Sequence, residues 1–231
     1  MLENLKKDVC AANVKLVDEG LVVQTFGNVS GVDRDSGHIV IKPSGVAYEQ
    51  MKPRSMVVVS LETGKVVEGE LRPSSDTPAH LELYRAFAEI GGVAHTHSLY
   101  AGAWAQAQKE IPPLGTTHAD YFYGPVPCTR PLNAEEIREQ YEANTGKVIV
   151  ERFRGLACTS LPGVLVAQHG PFTWGASPDE AVDNAARLEY IARLATETIR
   201  IEPYPTPAPR ELLRKHFLRK HGPNAYYGQK S

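Results

Sequence analysis

The sequence is poor in cysteine, in charge of one sign and in long apolar runs, and each shortage excludes something. Only three cysteines, Cys10, Cys128 and Cys158, occur among 231 residues. They are odd in number, widely spaced and without a CxxC pair, which excludes a disulfide framework and a thiolate metal or redox site. They read as small buried apolar residues. The 25 basic and 27 acidic side chains nearly cancel to a formal net charge of -2, so no broad field draws in nucleic acid or an anionic membrane surface. Two stretches, Ile90 to Gln108 and Gly155 to Pro178, lack Asp, Glu, Lys and Arg, but His, Gly, Ser and Gln interrupt both, so neither spans a bilayer. The opening residues, MLENLKKD, lack the apolar centre and cleavage site of an export signal, and a cytoplasmic address is expected. No G-x-G-x-x-G follows a predicted strand, so the usual dinucleotide-binding device is missing.

What is present is an ordinary globular chain, 42% hydrophobic, long enough to bury about 70% of its extended surface in one core. A single domain over residues 1–231 is expected. Leu2, Leu5, Val9, Ala12 and Leu16 recur at helical spacing up to Gly20. Strand-type runs follow at Leu21 to Phe26, His38 to Ile41 and Met56 to Leu61, separated by polar turns. Thr77 to Ile90 reads as a helix opened by Ser75-Asp76 with Pro78 in its first turn. Val93 to His97 reads as a strand, Leu99 to Gln108 as a short helix, and Asn133 to Arg152 as a longer helix with a capping box in Asn133 and Glu136. Gly163 to Gln168 is an apolar strand, Asp179 to Ile201 a helix opened by Ser177-Pro178, and a basic helix follows the proline-rich 203–209. Helices flanking one mixed sheet are the expected architecture.

The chemistry-bearing residues cluster in a few segments. In His95-Thr96-His97, residues two apart on a strand point to one face, so both imidazoles reach one ion. His169 closes another strand and supplies a third nitrogen. Three imidazoles with an open position are the pattern of a catalytic divalent site, while interior histidines bonded to carbonyls would look the same at this level. Asp76 is either a helix cap or a ligand or base. Ser74 and Ser75 at that helix start make a phosphate seat, and Lys42-Pro43-Ser44-Gly45 is a second anion-binding turn. Gly27-Asn28 places an amide at a strand end. Asp120 is the sole acid between Glu110 and Glu135, either paired or held for proton transfer. Tyr227 in the tail is an anchor or a phenol acting as acid or base.

Together these segments resemble the L-ribulose-5-phosphate 4-epimerases, a branch of the class II aldolase family. The carrying motifs are Phe26-Gly-Asn-Val-Ser30, Ile41-Lys-Pro-Ser-Gly45, Pro73-Ser-Ser-Asp-Thr-Pro78, His95-Thr-His-Ser98, Gly115-Thr-Thr-His-Ala-Asp-Tyr-Phe122, His169-Gly-Pro-Phe172 and the end of the chain through Tyr227 to Gln229. The resemblance implies a three-layer α/β fold with a central mixed or antiparallel sheet flanked by helices. It implies one Zn2+ per subunit, with Mn2+ or Co2+ as alternatives, held by His95, His97 and His169 with Asp76 close to it or on it. It further implies phosphate binding by Ser44, Gly45, Ser74 and Ser75, substrate contact at Gly27, Asn28 and Lys42, and Asp120 and Tyr227 as the proton-transfer pair. A homotetramer with active sites between subunits completes the implication. Phe26, Leu99-Tyr100 and the segment 152–160 depart from the family's usual residues without touching a proposed ligand.

A pentulose 5-phosphate is the implied substrate, and its C4 hydrogen is not adjacent to the C2 ketone, so direct deprotonation leaves an unstabilised carbanion. Breaking and remaking C3–C4 by a retro-aldol step, with the bound glycolaldehyde phosphate rotating between, is the expected route to D-xylulose 5-phosphate. It asks for a Lewis acid and a proton-transfer group on each face of the aldehyde. Two rivals remain open. One is a class II aldolase releasing an aldehyde and dihydroxyacetone phosphate, although such enzymes usually carry glutamate where this chain has Asp76. The other is a non-catalytic aldolase-like interaction module.

Overall fold

The computed structural model describes residues 1–228; Gln229, the last residue of the tail motif, lies outside them. Helix α1 (Glu3–Asp18) turns Val9, Ala12 and Leu16 inward, and Gly20, in left-handed backbone at φ 66°, ends it as the spacing predicts. The next segment differs from expectation. Leu21 to Phe26 forms an irregular loop, and the first strand, β1 (Asn28–Asp33), begins beyond it. Asn13 of α1 fixes that entry: its amide donates to Val29 O and accepts from Val29 N–H at 3.1 and 2.9 Å.

Strands β2 (His38–Ile41), β3 (Val57–Ser60) and β4 (Val66–Glu68) follow, then helix α2 (Thr77–Ala86), strand β5 (Gly92–His95), helix α3 (Leu99–Gln106) and the one-turn α4 (Thr116–Ala119). The expected helix over 133–152 is two, α5 (Ala134–Arg138) and α6 (Tyr141–Arg152), broken at Gln140 in left-handed backbone, φ 52°. The Asn133–Glu136 capping box is present at the start of α5. Strands β6 (Gly163–Val166) and β7 (Gly170–Gly175), the long α7 (Pro178–Ile201) and the basic α8 (Arg210–His221) complete the chain. Ser177 caps α7 by accepting from Glu180 N–H, as its sequence predicts.

The described strands form one sheet in the order β4-β3-β2-β1-β5-β7-β6, with every neighbouring pair antiparallel. Of the mixed and antiparallel alternatives, the antiparallel sheet is the one formed. Alternation sorts the side chains: Ile39, Ile41, Val57, Val59 and Val93 join α2 in one core, while Val40 and Val58 pack with α1, and Val29 and Ala94 with α1 and α7. His95 shares the face of Val93, two residues before it, and so turns toward the α2 layer. All three cysteines are buried and free. Among the described residues no helix is long and apolar enough to cross a membrane.

Candidate active site at the sheet edge

His95 ends β5 and His169 immediately precedes β7, its neighbour in the sheet, so sheet pairing alone brings the two imidazoles together. His97 lies two residues past His95. The ring centroids stand 4.6 to 5.2 Å apart, and one nitrogen of each ring falls within 4.8 Å of the others. His95 Nδ1–H donates to Pro171 O at 2.9 Å, which leaves Nε2 as the lone-pair nitrogen, 3.0 Å from His97 Nε2. Phe172 stacks on the His95 ring at 4.1 Å and fixes its plane.

This donor set fits a divalent metal. The carbonyl bond fixes the His95 tautomer in the way ligand histidines are held, and a 3.0 Å separation of two nitrogens is short enough for bonds of about 2.0–2.1 Å to a shared ion to span. His169 Nδ1 is buried and has no hydrogen-bond partner among the described residues. Burial lowers the His97 imidazole, helped by the neighbouring His95, and brings His169 down to about 3. Both are therefore neutral near pH 7, the state a metal ligand requires.

Asp76 occupies the cap position of α2 but makes no side-chain cap bond. Its carboxylate turns instead to Asn28, whose Nδ2 donates to Oδ2 at 2.6 Å. Burial pushes this carboxyl up, but His95, His80, the Asn28 amide and His169 together hold it below the usual carboxylate range. Asp76 is thus an anion beside the three histidines, outside the tight group their nitrogens form.

Two serine turns are zipped together next to it. Ser44 N–H donates to Arg72 O and Ser74 N–H to Lys42 O, both at 2.9 Å, with Pro43 bridging Pro73 between them. Lys42 is 2% exposed, its ammonium 4.9 Å above the Tyr48 ring. Burial lowers its pKa and the charge of Asp76 works the other way. Gly45 (φ 68°) and Gly27 (φ 84°) adopt backbone that L side chains resist. At Gly27 a side chain would also meet His95 O and Val22 Cγ1 at 2.9 Å.

A cleft of about 380 Å³ joins these parts. Its walls include every residue expected to touch substrate, Gly27, Asn28, Lys42, Ser44, Gly45, Ser74 and Ser75, together with Asp76, His97 and His169. Thr25, Phe26, Tyr141 and Glu142 also line it and were not expected to. Tyr141 and Glu142 escape sequence reading because 133–152 reads as one uninterrupted helix; only the break at Gln140 aims the first turn of α6 at the cleft. The left-handed, non-glycine Gln24, Gln140 and Gln168 each lie directly before cleft residues, at Thr25, Tyr141 and His169, the kind of local strain that gathers at functional sites.

Asp120 and Tyr227 are not among the residues that line this cleft. Asp120 follows α4 and is clamped by α8: Arg219 Nε and Nη2 donate to its two oxygens at 3.0 and 2.7 Å, and His216 Nδ1 lies 3.0 Å from Oδ1. Burial raises its carboxyl, but the Arg219 and His216 bonds and the Lys220 charge hold it below its usual range. Tyr227 packs over Arg219 and Lys220 at 4.7 and 4.3 Å and is 58% exposed. The two residues therefore share one basic cluster.

Residues 7–196 match the family described as Class II Aldolase and Adducin N-terminal domain. Among solved structures, an L-fuculose 1-phosphate aldolase is 25% identical, with 92% of this chain and 94% of that one covered at a TM-score of 0.78. YgbL from Klebsiella pneumoniae, a candidate aldolase/epimerase/decarboxylase, is 24% identical over 93% of this chain and 99% of that one, TM-score 0.74. L-fuculose-1-phosphate aldolase from Thermus thermophilus is 23% identical over 88% and 100%, TM-score 0.67.

Proposed function

The chain belongs to the class II aldolase and adducin N-terminal domain family, and we propose that within it the protein is a metal-dependent epimerase interconverting L-ribulose 5-phosphate and D-xylulose 5-phosphate. One observation carries the reading: of three convergent imidazoles, His97 and His169 line a cleft that the paired-serine anion seat and the buried Lys42 also line. His95, His97 and His169 would hold the ion, with Asp76 beside it. Such an ion supplies a Lewis acid that polarises the sugar carbonyl and spreads the negative charge left when C3–C4 opens.

The chain's own residues do the rest. Ser44, Gly45, Ser74, Ser75 and Lys42 bind the phosphate and keep the detached two-carbon aldehyde in the cleft while its carbonyl end turns over. Asn28 holds the Asp76 carboxylate in place. Asp120 and Tyr227 form the proton-transfer pair, one for each face of the aldehyde, each contributing about 10²- to 10⁴-fold. Because both lie in the α8 cluster, they serve the cleft of a neighbouring subunit, in a homotetramer. The zinc identity and the arabinose or related pentose route belong to the same proposal.

The test is incubation with L-ribulose 5-phosphate, with and without chelator, following configuration at C4. Metal-dependent appearance of D-xylulose 5-phosphate is expected, together with a loss of more than tenfold in Asp120→Asn and Tyr227→Phe. Release of free dihydroxyacetone phosphate from a ketose 1-phosphate would favour the aldolase instead, and a metal-free, inert protein would be a non-catalytic module.

A further inference from the structure

The sheet holds His95 and His169 directly, and it holds His97 less well. His95 pairs with Asn28 on one side and Phe172 on the other, and His169 N–H donates to Val166 O at 3.0 Å in the turn that opens β7. The sheet's last tie to the β5 end is Thr96 N–H to Pro171 O at 3.3 Å. His97 comes after that tie and is the exposed member of the three. The chain is then taken up by α3, which begins at Leu99.

Helix α3 starts without a cap of its own. Ser98 stands at the cap position, where a serine ordinarily accepts from the second or third helical N–H. Here it makes no cap bond, and its buried Oγ has no hydrogen-bond partner among the described residues. The carboxylate of Glu189, on α7, takes its place: Tyr100 N–H donates to Oε1 at 2.7 Å and Ala101 N–H to Oε2 at 2.8 Å. An anion is favoured there by the free N–H groups and by the positive end of the helix. The same face of α7 grips α3 again one and two turns on, where Trp104 Nε1–H reaches Ala192 O at 3.2 Å and Thr196 Oγ1 at 2.9 Å. Helix α7 is in turn tied to β7, since Thr173 Oγ1 donates to Ala181 O and Asn184 Nδ2 to Trp174 O, both at 2.8 Å. Glu189 thus refers the start of α3 to the strand that carries His169 at its head.

We infer that Glu189 is a positioning residue for the proposed metal centre: by capping α3 with both carboxylate oxygens it anchors the chain three residues after His97 to α7, and so holds that imidazole against the other two. The inference rests on the three-histidine centre of the proposed function, and zinc alone is the probe. Glu189→Ala should weaken zinc binding by about tenfold or more and speed amide exchange at Tyr100 and Ala101. The double variant Ser98→Asp/Glu189→Ala puts a carboxylate at the cap position, in reach of the same two N–H groups, and should return zinc affinity to within about threefold of wild type. If Glu189→Ala does not fold, Glu189→Gln keeps the size and one accepting oxygen, and should show a smaller loss that Ser98→Asp again rescues. Trp104→Phe loosens α3 from α7 without touching the cap and should bind zinc as wild type does. Unchanged zinc affinity in the Glu189 variants, no rescue by Ser98→Asp, or an equal loss in Trp104→Phe would make Glu189 a packing residue and overturn the proposal. A protein that follows the expected order of zinc affinities but leaves L-ribulose 5-phosphate unchanged would remove the epimerase reading and keep this one; full epimerisation with equal zinc affinity in every variant would do the reverse.

Discussion

Gly27→Ala tests the way backbone and site are joined. Gly27 has φ 84°, and a Cβ there would stand 2.9 Å from both His95 O and Val22 Cγ1. Left-handed backbone costs an L residue roughly 1–2 kcal/mol, and forcing a methyl into a filled space adds about 1–3 kcal/mol. A stiffer unfolded chain offsets about 0.4–1 kcal/mol of this. The net loss is then about 2–4 kcal/mol, a fall in melting temperature on the order of 10 °C for a chain of this size. Gly45→Ala is the control. Gly45 also has positive φ, 68°, but nothing among the described residues lies within 4 Å of its Cβ position, so only the backbone cost applies and the net loss is about 1 kcal/mol. Because His95 O is backbone at the end of β5, relief at Gly27 moves the His95 ring, and a displacement of about 1 Å costs on the order of 10²-fold in turnover. Thermal melting, zinc stoichiometry and turnover of L-ribulose 5-phosphate together read both effects. If Gly27→Ala melts within about 2 °C of Gly45→Ala and binds zinc equally well, the close approach of the 21–27 loop to His95 is not what sets the site.

Asp120 should behave as the anchor of α8. Its carboxyl is held below the ordinary range when folded, so its contribution is present above about pH 4, the usual unfolded value, and is lost as pH falls below that. Hydrogen exchange should show α8 protected at pH 7 and opening below about pH 4, and Asp120→Ala should open it at pH 7 at a cost of about 2–3 kcal/mol; protection unchanged in the variant would mean the apolar contacts of Phe217 hold the helix. Zinc affinity should fall less from pH 8 to 6 than three free histidines would make it, since burial holds His169 neutral to about 3 and lowers His97 as well. A titration showing a loss of tenfold or more over that range would mean the imidazoles compete for protons as free histidines do.

Much of the candidate site's grouping was legible because its signals are local. The two-residue period of His95 and His97, the paired serines beside Asp76 and the Lys-Pro-Ser-Gly turn each announce themselves, and sheet pairing then brings His169 to them. The α7 start and the Asn133 capping box were legible for the same reason. The rest depends on tertiary contacts. Leu21 to Phe26 has strand composition, but Gln24 and Gly27 must take left-handed backbone to let the chain pass over His95. The break at Gln140 carries no glycine or proline, so Tyr141 and Glu142 could not be placed on the cleft. Asp120 looked like an isolated carboxylate because its cations, Arg219 and Lys220, lie about a hundred residues away in sequence.

The account stands on three imidazoles meeting at one ion. Anomalous diffraction at the zinc edge from crystals of the zinc-loaded protein tests this most directly. One dominant peak should lie within bonding distance of His95 Nε2, His97 Nε2 and a nitrogen of His169, and should vanish in His97→Asn. A zinc-loaded crystal with no peak among these rings, or with its peak elsewhere on the chain, would contradict it.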